Sequence, residues 1–236
     1  MANVVRFPVF LQEKDTFGLE SDFPNFATGT DGWTSLVVDA GTSVAVNDAV
    51  GGRATLTTGA TDNNEASLRS TTEIYLVAAG KPLFCEARIQ YTEANTDDAN
   101  VMFGFMSALA ANSLVDDGAG VRTSGSLAVI YKIDGGTVWR CANRDNDGAE
   151  DTVSTTTAGG TSFQTLRIEI LDNGTLPATV VYYVDDVALV DANGIVIKHQ
   201  FTLTSSTEMN LGLYVKAGGA NSEVVLCDYM GGWQLR

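Results

Sequence analysis

Hydrophobic and polar residues alternate with a period of two along much of this chain. The alternation is regular over residues 83–91, 127–133, 166–170, 211–215 and 225–229. Successive side chains of a β-strand point to opposite faces, so each stretch predicts a strand with one face on a core. In the last stretch, this pattern places Val225, Cys227 and Tyr229 together on the buried face.

Turn-forming residues separate these stretches. Asp-Gly-Gly at 134–136 and Asn-Gly at 173–174 and 193–194 supply residues that tolerate a positive φ. Residues 180–190 predict a hairpin with Asp185 and Asp186 at its tip, and its first strand is apolar at every position. Residues 106–115 predict either a short helix or a structured loop. The whole pattern predicts an all-β fold, a two-sheet antiparallel sandwich, as one domain over residues 21–236.

Residues 1–20 stand apart from this pattern. Their apolar run is interrupted by Pro8, which restricts it to an edge strand of the domain's own sheet or to an extended N-terminal arm that docks on a neighbour. Both alternatives stay open at this point. The side chains expected to contact a partner are Val4, Val5, Phe7, Val9, Phe10 and Leu11.

The 236-residue chain is strongly acidic. It contains 29 Asp and Glu against 14 Lys and Arg, for a net charge of −15. Such a surface repels phosphate backbones and anionic lipids, so we expect neither nucleic acid nor a membrane as a partner. The first residues lack the basic head, long apolar run and small-residue cleavage site of a signal peptide, so we expect synthesis in the cytoplasm.

The chain offers little for catalysis. Its one histidine, His199, shares strand parity with apolar neighbours and is expected to be a half-buried sheet histidine with one hydrogen bond. Cys85, Cys141 and Cys227 have no C-x-x-C spacing, so we expect no zinc site. Cys85 and Cys227 lie in strand-like runs and are expected to be small buried hydrophobes, with a disulfide as the alternative. We therefore expect no enzyme activity and no cofactor.

Two acidic motifs are candidates for chemistry, and each is incomplete. The paired carboxylates of a glycosidase must point the same way, whereas Glu169 and Asp172 have opposite strand parity. A weak calcium candidate starts like an oxygen-rich loop, but its closing position is Ser154 instead of a glutamate. Its ligands would be Asn143, Asp145 and Asp147. We expect an acidic solvated loop there and no metal.

Four segments of the second half have a distinctive order and spacing. FQTLRIEI at 163–170 looks like a long central strand, and VYYVDDVAL at 181–189 looks like a hairpin with Asp186 where glycine is usual. LGLYVK at 211–216 and CDYM at 227–230 look like closing strands. Together they resemble the concanavalin A-like, laminin G-like jelly rolls, and as architecture the resemblance covers residues 26–236. It implies this fold and no catalytic residues.

Similar sequences without export signals occur among virion proteins of tailed bacteriophages. That resemblance implies a non-enzymatic capsid decoration (cement) protein on the virion surface, made in the host cytoplasm. Its partners would be the major capsid protein and further copies of itself. The alternative is a lectin-like carbohydrate-binding module on a fibre or surface, with a glycan as ligand. That function needs an exposed aromatic platform or a complete calcium loop, and Trp33, Trp139 and Trp233 are the platform candidates.

Overall fold

The computed structural model describes residues 16–23, 32–37, 39–47, 51–146, 151–172, 174–202 and 207–236. Within these ranges the secondary structure is β-strands and one 3₁₀ turn at Asp116–Gly118. In chain order, the strands are β1 (Thr16–Ser21), β2 (Trp33–Val37), β3 (Ser43–Asn47), β4 (Arg53–Thr57), β5 (Glu65–Ser70), β6 (Leu83–Thr92), β7 (Ala99–Met106), β8 (Leu114–Val115), β9 (Gly120–Val121), β10 (Leu127–Lys132), β11 (Val138–Arg144), β12 (Asp151–Ala158), β13 (Gln164–Leu171), β14 (Ala178–Val184), β15 (Val187–Ala188), β16 (Lys198–Phe201), β17 (Asn210–Ala217) and β18 (Val224–Leu235). Residues 106–115 form a structured loop with a two-residue strand, one of the two alternatives expected there. No helix of the described ranges is long and apolar enough to cross a membrane.

These strands form two antiparallel sheets, which confirms the predicted sandwich. The nine-stranded sheet has the order β15-β14-β13-β6-β18-β4-β3, with β1 also paired to β18 and β16 to β14. The seven-stranded sheet has the order β12-β11-β10-β7-β17-β5-β2, and β8 pairs with β9 alone. The apolar run at residues 4–11 lies outside the described residues, so the choice between an arm and an edge strand stays a prediction.

The main core lies between the two sheets and consists of the side chains that alternate toward the inside of each strand. The three cysteines are buried there as free thiols, which confirms the burial predicted for Cys85 and Cys227. Tyr91 of β6 meets Trp139 of β11 edge to face at 5.9 Å between ring centroids, so the two sheets interlock through aromatic side chains.

A second, smaller cluster covers the outer side of the seven-stranded sheet. The segment that connects β7 to β10 packs Leu109, Leu114 and Val121 onto Met102 and Tyr214. This second layer explains why β7, β10 and β17 are buried at all their positions. The other outer surface, on the nine-stranded sheet, is called the open face below.

A β-bulge in β18 shows that the orientation predicted for Tyr229 is wrong. Cys227 pairs with Ile89, and the next residue of β6, Arg88, pairs with Tyr229, so Asp228 is the extra residue. An extra residue reverses strand parity. Val225 and Cys227 therefore point into the core as predicted, whereas Tyr229 points to the open face.

Candidate functional site

Two adjacent rows of side chains cross the middle of the open face. From β14 to β1, the first row consists of Tyr183, Arg167, Glu86, Gly231 and Glu20. The second row consists of Val181, Glu169, Phe84, Trp233 and Gly18. Directly opposite residues of antiparallel strands have Cβ atoms about 4.5–5.5 Å apart, so each row is a continuous strip across five strands.

Trp233 lies along the surface of the sheet because two of its neighbours are glycines. A Cβ atom on Gly18 would lie 2.6 Å from Trp233 Cδ1, and one on Gly231 would lie 2.5 Å from Trp233 Cη2. The five-membered ring therefore lies beside Gly18 and the six-membered ring beside Gly231. Phe84 is the direct partner of Trp233 on β6, and both aromatic side chains are only half-buried. Trp233, Phe84 and the two glycines are called the Trp233 platform.

A charged group centred on Arg167 lies next to this platform. The Arg167 guanidinium lies 3.7 Å from Glu86 and 3.1 Å from Glu169, and it pairs with Asp186 at the hairpin tip. The ring of Tyr183 stacks on the guanidinium at 4.3 Å. One cation therefore holds three carboxylates from three parts of the sheet. These five residues are called the Arg167 cluster.

Glu86 is the buried member of this cluster, and Tyr229 donates a hydrogen bond from its hydroxyl to Glu86 Oε1. Burial raises the pKa of Glu86, while the Tyr229 hydrogen bond and the Arg167 charge oppose that shift. Burial also raises the pKa of Tyr229, and the nearby Glu86 adds to the effect. Tyr229 is therefore a neutral donor at physiological pH. Burial would lower the pKa of Arg167, but its hydrogen bond with Asp186 and the adjacent carboxylates raise it, so Arg167 stays charged.

A second charged group lies on the other side of Tyr229. Arg88 forms an ion pair with the bulged Asp228, and Arg53 Nε lies 3.5 Å from the same carboxylate. Both guanidinium groups also lie over the ring of Phe163, at 4.3 and 5.0 Å from its centroid. One carboxylate and one ring thus hold two arginines in place on the open face.

Other candidates from the sequence have structural roles. His199 lies in β16 as predicted, but it is buried instead of half-buried, and its Nδ1 atom lies 3.0 Å from the Tyr182 hydroxyl. Trp33 and Trp139 are fully buried. Of the three tryptophans, Trp233 is therefore the one that is partly exposed.

The calcium candidate is not assembled in the part of the chain that the structure describes. Asn143 is buried and donates its side-chain amide to the Gln200 carbonyl at 2.7 Å. Asp145 is half-buried, and Asp147 lies outside the described residues. Within the described ranges, no group of three or more His, Cys, Asp and Glu side chains is placed to hold a metal ion. The loop stays a prediction.

The carboxylates of Glu169 and Asp172 do not form a pair. Asp172 lies beyond the end of β13 and accepts a hydrogen bond from the Gly80 amide at 2.8 Å. The open face does bring Glu169 close to Glu86, with Arg167 in contact with both. Strand parity relates carboxylates along one strand, whereas these two come from neighbouring strands, so the sequence does not reveal the pair.

No protein-family model matches this chain, and no curated protein matches its sequence. Solved structures do match it. The Emp47p carbohydrate recognition domain has a TM-score of 0.59 and 12% identity, and the match covers 94% of this chain and 98% of that one. Peanut lectin has a TM-score of 0.60 and 12% identity, with 93% and 97% covered. Endo-β-1,4-glucuronan lyase from the fungus Trichoderma reesei has a TM-score of 0.61 and 12% identity, with 92% and 94% covered.

These similarities establish the fold of the chain, a concanavalin A-like, legume-lectin-like jelly roll. At 12% identity they establish nothing further. A carbohydrate recognition domain, a lectin and a lyase share the architecture, so the fold by itself does not decide between binding and catalysis. That choice depends on the residues of the open face.

Proposed function

We propose that this protein binds carbohydrate on the open face of its nine-stranded sheet. The observation that carries the proposal is the Trp233 indole, which lies along the sheet over Gly18 and Gly231 next to polar side chains. One face of a hexose ring is apolar and its rim carries hydroxyl groups. An indole surface beside carboxylates and a guanidinium matches both features. The carbohydrate-binding neighbours of the same fold support this reading.

The contribution of the indole is large enough to measure. If a sugar ring covers about 60 Å² of the indole, burial at about 25 cal/mol per Å² contributes about 1.5 kcal/mol, or about tenfold in affinity. Substitution of Trp233 by alanine should therefore weaken glycan binding at least tenfold.

Binding fits the open face better than cleavage does. A glycosidase needs one carboxyl that can protonate the leaving oxygen and one carboxylate that faces the anomeric carbon or a water. Glu86 and Glu169 are both engaged by Arg167, and Glu86 also accepts the Tyr229 hydroxyl. Both carboxylates that could perform catalysis are therefore occupied by contacts with other side chains of the protein. Release of reducing sugar from a bound glycan, abolished by Glu169→Gln, would contradict this proposal.

A glycan array followed by calorimetry tests the function. Wild-type protein should bind a defined subset of glycans, and Trp233→Ala should lose that binding. Gly231→Ala provides a second variant that keeps the tryptophan, since the added Cβ would meet Trp233 Cη2 at 2.5 Å and displace the ring. Gly160→Ala is the matched control, because a Cβ there meets nothing within 4 Å.

Thermal melts must show that each variant is folded. Glycan binding that survives in both Trp233→Ala and Gly231→Ala would place the ligand elsewhere. An array with no bound glycan would overturn the proposed function.

Capsid decoration is the competing proposal. It depends on the N-terminal segment as an anchor, of which residues 16–20 lie in β1 of the domain's own sheet. It also depends on partners, namely the major capsid protein and further copies of the chain. The fold is compatible with this function but does not favour it. Among the described residues, the open face instead supports the lectin-like alternative, so carbohydrate binding takes first place.

A further inference from the structure

Two carboxylates flank the Trp233 platform. Glu20 and Glu86 are the partners of Gly231 on β1 and β6, one on each side. The Glu20 Cβ atom lies 3.0 Å from the position that a Gly231 Cβ would occupy, and the Trp233 six-membered ring lies at the same position. The indole therefore ends between two acidic side chains.

The one cation of the adjacent cluster is already engaged. Arg167 contacts Glu86, Glu169 and Asp186, so with Glu20 the site contains four carboxyl groups and one guanidinium. The next two cations along the face, Arg53 and Arg88, are held by Asp228 and Phe163. The surroundings of the platform thus combine an aromatic surface with excess negative charge.

We infer that the platform prefers glycans that carry protonated amino groups, such as oligomers of glucosamine, over neutral or anionic glycans. This inference rests on the proposed carbohydrate-binding function and names its ligand class. An ammonium group is attracted to the face of an indole and to carboxylates on either side of it. A uronate or sulfate group would meet the carboxylates and the net charge of −15 instead.

The test compares two ligands that differ only in acetylation of the amine. Calorimetry at pH 6 and low salt should show that a glucosamine hexamer binds about tenfold more tightly than an N-acetylglucosamine hexamer. The difference should shrink as salt rises, because exposed charges are screened within about 8 Å at physiological ionic strength. Glu20→Gln should reduce the preference and leave the N-acetylated ligand bound.

Asp62→Asn is the matched control, since Asp62 is an exposed carboxylate in the loop between β4 and β5. It removes the same charge from the protein and should leave the preference unchanged. Thermal melts confirm that Glu20→Gln folds, which is expected because Glu20 is exposed.

The outcomes separate this inference from the function on which it rests. Equal affinity for the two hexamers, with both lost in Trp233→Ala, would overturn the preference and leave carbohydrate binding intact. A preference that Trp233→Ala or Glu20→Gln does not change would come from the overall charge and would also overturn it. Absence of any glycan binding would overturn both proposals.

Discussion

Replacement of Glu223 by glutamine should stabilise the protein at and above neutral pH. Glu223 is fully buried between β17 and β18, and its Oε2 atom accepts the Ala94 amide at 3.2 Å. Its Oε1 atom is buried without a hydrogen-bond partner among the described residues. Burial is the main cause that raises its pKa from 4.5 to about 7. The charges of Glu93 and Asp98 add to the shift, and Lys132 opposes it.

The sign and size of the effect follow from this pKa. Below pH 4.5 the carboxyl is neutral in both the folded and the unfolded chain, so its ionisation costs no stability. Between pH 4.5 and 7 the unfolded chain loses the proton first, so the free energy of unfolding falls as pH rises through that window. At about 1.36 kcal/mol per pKa unit the upper limit is about 3.4 kcal/mol, and relaxation of the protein around the ionised carboxylate should reduce it to about 1.5 kcal/mol.

Thermal melts between pH 4.5 and 8 test the reasoning. Glu223→Gln keeps the shape and the oxygen that accepts the Ala94 amide but cannot ionise. At pH 8 it should melt about 3–6 °C above the wild type, whereas at pH 4.5 the two should agree within about 1 °C. Glu208→Gln, an exposed carboxylate, should follow the wild type throughout. A Glu223→Gln difference of equal size at both pH values would refute the assignment.

Three further predictions concern stability. Lys216 is fully buried, and its Nζ atom donates hydrogen bonds to three oxygen atoms. Lys216→Met should therefore lower the free energy of unfolding, measured in urea, by about 3–5 kcal/mol. Lys198 is exposed, so Lys198→Met should lower it by less than about 0.5 kcal/mol. Gly104 has a φ of +141° and a Cβ there would lie 2.4 Å from a carbonyl oxygen, so Gly104→Ala should cost at least about 2 kcal/mol in the same assay, whereas Gly160→Ala should cost almost nothing. Deletion of residues 1–11 should leave the melting temperature nearly unchanged if they form an arm, and loss of folding would assign them to the core.

Much of the fold can be predicted from this sequence because strand periodicity is a local property. The alternation at 83–91 becomes β6, and Asp185 and Asp186 form the hairpin tip with φ of 51° and 65°. The predicted orientation of Tyr229 is wrong because the bulge at Asp228 depends on how β18 pairs with β6. The period-two pattern of one strand does not show where pairing with its neighbour leaves a residue without a partner.

The candidate site could not be predicted for the same reason. Trp233 lies along the sheet only because Gly18, more than 200 positions away in the sequence, pairs with it, and because Gly231 lies on the same face. Glu86 meets Glu169 and Tyr229 only through the register of β6 with β13 and β18. The aromatic surface and the charges around it are therefore products of cross-strand pairing. A substitution that shifts the register of β18 would dismantle the site while most side chains of the core stayed apolar.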